Sequence, residues 1–136
     1  MAEALVLDAS AIVEALLGTT LGIEVRTRMR GHRLHAPAHL DAEVLSALGR
    51  LHRAGELADS TVATALDEIA TAPIQRHPLS SLLAGAWRRR ENLRLLDALY
   101  VELTGTLDQA TLLTTDARLA RSEPRAELIT ACLQSS

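Results

Sequence analysis

The sequence predicts an α/β domain: a mainly parallel central sheet with helices on both faces, forming a three-layer α/β/α sandwich. Three observations carry that prediction. Short apolar runs alternate with stretches of helical spacing along the whole chain. Leu5-Val6-Leu7 and Leu112-Leu113 are apolar at consecutive rather than alternate positions, as expected of strands covered on both faces. Gly18, Gly31 and Gly55 fall where the helical spacing breaks off. With 136 residues, the chain is long enough for one core and too short for two, so residues 1–136 read as a single domain.

Taken in order, Ala4–Leu7 is a first strand, and Asp8 falls at its end. Ser10 caps a helix over Ala11–Leu17, and a second helix covers Leu21–Met29. Arg33–Ala36 is a short strand closed by Pro37. Leu40, Val44, Leu45, Leu48 and Leu51 recur at helical spacing, so a long helix runs from Ala38 to Arg53 with Glu43 in its first turns. Asp59-Ser60 caps a helix through Ala70, and Ile74–His77 is a strand before Pro78. Ser80–Glu91 and Leu95–Thr104 are helices, the second with Asp97 near its start. Ala110–Thr114 is a buried strand with Asp116 just beyond it, followed by a short helix and a last strand around Leu128–Thr130.

Composition narrows the function. The formal net charge is −3, which by itself gives no reason to expect a polyanionic partner. All 14 cationic side chains are Arg, Phe is absent, and Trp87 and Tyr100 are the only large aromatics. Without Lys there is no P-loop and no phosphoaspartyl chemistry of the kind that sets a Lys opposite the first Asp. No Gly-rich dinucleotide fingerprint follows the first strand. Cys132, read as a small apolar residue, stands alone, which excludes an internal disulfide and a Cys-based zinc site. The N-terminal stretch carries Glu3, Asp8 and Glu14 without a basic leader, so cytoplasm is the expected compartment.

In open α/β sheets, ligands bind beyond the carboxyl ends of the strands. Asp8 and Asp116 occupy two such ends, and helices starting at the same edge bring Glu43 and Asp97 there. A turn or cap role would explain any one of these acids, but not all four on one edge. Four anions in one small pocket raise one another's pKa and call for neutralisation by a cation. Hard oxygen donors without matched His or Cys select Mg2+ or Mn2+ over zinc. A cation so held suits phosphodiester hydrolysis, with Ser10 and Thr114 or Thr115 positioning a water or a phosphate oxygen.

The stretches LVLDASAIVEAL, APAHLDAEVLSAL, LRLLDALYVELTGTL and ATLLTTDARLA, in that order and at this chain length, resemble the PIN-domain family of metal-dependent ribonucleases, specifically its VapC-type toxins. The resemblance spans nearly the whole chain. It implies that Asp8, Glu43, Asp97 and Asp116 form a catalytic set that binds Mg2+ or Mn2+. Ser10 matches the small polar residue after the first Asp, and Thr114 the threonine before the last acid. It further implies a parallel α/β/α fold, cleavage of single-stranded regions of RNA, a homodimer, and a cognate VapB-like antitoxin. A catalytically silent PIN-like binding module with a structural ion is the alternative. A DNA flap nuclease fits less well, because the chain lacks helices to thread a strand.

Arg88, Arg89, Arg90 and Arg94 form a basic run before the Asp97 helix that can attract RNA phosphates or simply face solvent. Trp87 beside it reads as core or interface rather than as a stacking platform. His32, His35 and His39 lack the spacing of a zinc site, and His77 has no evident partner.

Overall fold

Leu5, Val6 and Leu7 expose no surface at all, so the first strand, β1 (Ala4–Leu7), lies at the centre of a sheet and is covered on both sides. The computed structural model describes residues 3–131; Cys132 lies outside the described residues. After β1 come α1 (Ala9–Leu17), α2 (Thr20–Met29), β2 (Arg33–Pro37), α3 (Leu40–Arg53), α4 (Asp59–Thr71) and β3 (Ile74–His77). Then follow α5 (Leu83–Arg88), α6 (Leu95–Thr106), β4 (Ala110–Thr114), α7 (Ala117–Ser122) and β5 (Ala126–Leu128). The strand order is β3-β2-β1-β4-β5, and every pairing is parallel.

That order fixes the layers. The chain steps outward from β1 to β2 and β3, then returns across the sheet to β4 and β5. With right-handed crossovers, α1–α4 cover one face and α5–α7 the other. Accordingly α1 packs on α2, α3 and α4, while α6 lies on β1, β2 and β4. The direction of winding reverses between β1 and β4, so the crevice beyond their carboxyl ends is the switch point of the fold. Among the described residues no helix is long and apolar enough to cross a membrane.

Several expectations shift, among them the cap of α4, where Asp59 and Ser60 lie inside the helix and Ala58 takes the cap position without a side-chain bond. Asp8, not Ser10, caps α1: its carboxylate accepts from the Ala11 amide, and Ser10 itself is helical. The helix expected over Ser80–Glu91 shrinks to Leu83–Arg88. Leu79–Leu82 forms a turn before it, and i+3 bonds from the Arg90 and Asn92 amides wind the chain out after it. The last strand pairs over Ala126–Leu128 rather than Leu128–Thr130: the Ile129 amide donates the closing bond of the ladder to the Thr114 carbonyl at 2.9 Å, and its side chain packs into the core.

Gly18 ends α1 with φ of 65°, and its amide closes on the last carbonyls of the helix. The short turn brings α2 hard against α1 at Gly22, where a Cβ would overlap the Glu14 carbonyl oxygen. Gly22→Ala is therefore expected to cost about 3 kcal/mol through overpacking. Gly49→Ala, on α3 with only the mobile end of Arg53 at 3.5 Å, should stabilise by about 0.5–1 kcal/mol through helix propensity. Chemical denaturation of the two variants checks both signs.

Candidate active site

The end of β1 delivers Asp8 into the crevice between α1 and β4, where its residue is only 5% exposed. Oδ1 accepts from Ser10 Oγ at 2.7 Å and from the Ala11 amide at 2.9 Å; Oδ2 accepts from Thr114 Oγ1 at 2.5 Å. All these donors are neutral. Burial, reinforced by the charge of Asp97 and only partly offset by these hydrogen bonds, pushes the Asp8 carboxyl up to about 6.

The two hydroxyls that hold Asp8 are themselves held by the β4 end. Ser10 Oγ accepts from the Thr115 amide at 3.1 Å, and Thr114 Oγ1 accepts from the Asp116 amide at 2.9 Å. Each hydroxyl has one proton and spends it on Asp8, so Ser10 and Thr114 fix the carboxylate and lock the first strand end to the fourth. Thr114 is fully buried and acts as a positioning residue, whereas Thr115 lines the cavity that also contains Glu43 and Ser10. Asp116 caps α7, its Oδ1 accepting from the Arg118 amide at 2.9 Å.

Glu43, in the first turn of α3, accepts from Tyr100 Oη at 2.7 Å. Burial and the neighbouring Glu43 charge push the Tyr100 phenol well above its usual range, so it stays protonated and donates. His39 packs on the Tyr100 ring with centroids 4.7 Å apart. Its Nε2 donates to the Leu96 carbonyl at 3.0 Å and lies 3.3 Å from Glu43 Oε1. Tyr100 and His39 thus support an acid, a role missed in the sequence because 57 residues separate Tyr100 from Glu43.

Asp97 opens α6 and is gripped by Arg94, whose Nε and Nη2 each lie 3.0 Å from one of its carboxylate oxygens. Glu43 and Asp116 also lie within electrostatic range of this guanidinium. The four acids converge on one edge but form a rim rather than a closed cage: among the described residues no three carboxylate, His or Cys side chains are grouped tightly enough to enclose a metal ion. The donor set nonetheless fits a hard divalent cation. It is made of carboxylate oxygens, and its most buried member has only neutral donors around it.

The basic run does not act as a block. Arg89 is tied to Glu102 at 2.8 Å and Arg88 projects from the end of α5, while Arg90 and Arg94 line a groove of about 540 Å3 with Asp97 and Asp116. The same groove is lined by Arg118 and Arg121, which sequence reasoning passed over although they follow Asp116 at i+2 and i+5. Trp87 is 57% exposed rather than core, with the Arg90 guanidinium 4.6 Å above its ring. His77 does have a partner, His35, with Nδ1 and Nε2 2.9 Å apart, and Asp41 pairs with Arg76.

The PIN domain model matches residues 5–123. Over 93% of both chains, the sequence is 56% identical to Ribonuclease VapC3 of Mycobacterium tuberculosis. It is 36% identical to Ribonuclease VapC12 of the same organism, over 87% of this chain and 91% of that one. A crystal structure of PAE2754 from Pyrobaculum aerophilum shares the fold with a TM-score of 0.68 at 22% identity, over 94% of this chain and 90% of that one.

Because the Asp8 carboxyl is raised from 3.8 to about 6, the folded state takes up its proton more readily than the unfolded chain. That contribution to stability is complete below about pH 4 and is lost as pH rises through about 6. Without divalent ions, Asp8→Asn should therefore exceed wild type in stability at pH 7.5 by on the order of 2–3 kcal/mol, with the gap closing toward pH 4. Asn still caps α1. Asp8→Ala, which abandons the cap, should fall about 1–2 kcal/mol below the Asn variant. Urea titrations at the two pH values in EDTA check the sign.

Proposed function

The chain belongs to the PIN-domain family and to its VapC-type ribonucleases, and on that premise we propose that it cleaves single-stranded regions of RNA with Mg2+ or Mn2+, as the toxin of a type II toxin–antitoxin pair. The observation that carries this reading is the setting of Asp8. It is a buried carboxylate with no cationic side chain among its donors, at the switch point of the sheet, beside three further acids.

Asp8, Glu43, Asp97 and Asp116 would hold the cation. When bound, it would supply an activated water and offset the charge that develops on the phosphoryl oxygens. The remaining work belongs to the chain. Ser10 and Thr114 hold Asp8 in one orientation, Tyr100 aims Glu43, and the cap on α7 fixes Asp116. Arg94 balances the charge of Asp97. Water adds to phosphorus as the bond to the leaving oxygen breaks, giving a phosphate monoester and a hydroxyl.

The partners in this reading are a VapB-type antitoxin and a second copy of the chain, in the cytoplasm. Ile23, Leu83 and Trp87 are large apolar side chains left exposed for such contacts. A silent binding module is the second reading, favoured by one observation: Arg94 already occupies both oxygens of Asp97. A mixed pool of structured RNAs incubated with Mn2+, with EDTA, and with the Asp97→Asn variant separates the two. The nuclease reading expects cleavage only by wild type with metal. Intact RNA in every arm favours the silent module, and cleavage that survives EDTA or Asp97→Asn removes the four-acid mechanism.

A further inference from the structure

An acidic reaction centre repels the polyanion it is meant to cut, so a strand can be seated there only if cations outside the acid cluster hold its phosphates. The chain's 14 arginines are its whole supply, and several are committed elsewhere. Arg26, Arg28, Arg76, Arg89 and Arg125 are committed to carboxylates away from the groove, and Arg94 to Asp97.

Arg118 and Arg121 line the groove itself. Both are exposed on α7, and among the described residues neither side chain has an ion-pair or hydrogen-bond partner. They stand at i and i+3, about 5–6 Å apart at Cβ, within reach of neighbouring phosphates. Arg90 lines the same groove and is held by Trp87: its guanidinium lies over the ring and its Nη1 donates to the Trp87 carbonyl at 3.0 Å. Among the described residues the one ion pair of Arg90 is with the exposed Glu91, at 3.8 Å. The groove between these arginines contains Asp97 and Asp116.

We propose that Arg90, Arg118 and Arg121 form a phosphate clamp that seats single-stranded RNA across the acids. The clamp deepens the nuclease reading and rests on it. Its sequence-independent grip compensates for the scarcity of aromatic side chains, which leaves little surface for base stacking.

Counterion release supplies the test. In an Asp8→Asn background, where RNA stays intact, the Kd for a fluorescein-labelled 12-nucleotide mixed-sequence RNA is measured by anisotropy across a salt series. Replacing Arg118 and Arg121 together by Ala should weaken binding at least about tenfold at low salt. It should also flatten the slope of log K against log salt by about 1.4, roughly 0.7 for each phosphate left without its arginine. The control replaces Arg30 and Arg33, exposed at the amino-terminal edge of the sheet, and should change neither quantity.

An unchanged slope in the Arg118/Arg121 variant, or an equal loss in the control, overturns the clamp. Wild-type protein is assayed for Mn2+-dependent cleavage in parallel. Cleavage alongside unaltered binding by the variant removes the clamp alone, whereas a parent that neither binds nor cuts removes the nuclease reading with it.

Discussion

A carboxylate buried at the end of β1, with only neutral donors around it, is the constraint on which the site depends. Asp8 caps α1, takes the single proton of each of two hydroxyls, and through them ties the end of β1 to the end of β4. Those bonds fix its position without neutralising it. Its ionised form stays costly, and the charge of Asp97 on the same edge raises the cost. Selection for stability alone would favour Asn at this position, which caps a helix as well and carries no charge.

The rest of the edge follows from the same electrostatics. Each acid has a partner that orients it: Tyr100 for Glu43, Arg94 for Asp97, and the α7 amides for Asp116. Only the Arg94 pair brings a full positive charge, and it sits on the more exposed side of the site, with the Arg94 side chain 63% exposed. A divalent ion entering the crevice would meet one deeply held carboxylate and three on the rim. The parallel strand order makes this arrangement possible, since β1 and β4 are neighbours whose following segments leave toward opposite faces.

Much of this was legible in the sequence, because local patterns carry it. The consecutive apolar residues of β1 and β4 mark central strands, and the acids follow strands or open helices at positions that spacing alone identifies. Errors fell where tertiary context overrides local pattern. Ser10 looks like a cap, yet Asp8 accepts the Ala11 amide. Ile129 looks like mid-strand but its amide closes the ladder, and of the two readings of Trp87, core or interface, its exposure removes the core. The supports of the site were illegible for a different reason. Tyr100 meets Glu43 across 57 residues and Thr114 meets Asp8 across 106, and only the folded sheet brings such pairs together. Arg118 and Arg121 carried a local signal in their spacing after Asp116, but a basic pair among many arginines has no meaning until the groove is seen.

The central claim is that one cation site unites the four acids. Anomalous diffraction from crystals of wild-type protein grown with Mn2+ addresses it directly. The account predicts a manganese peak within coordination distance of Asp8 and of at least two of Glu43, Asp97 and Asp116, with Arg94 displaced from Asp97. Manganese bound elsewhere, or a crevice that stays free of it while Arg94 keeps its grip on Asp97, would contradict the account.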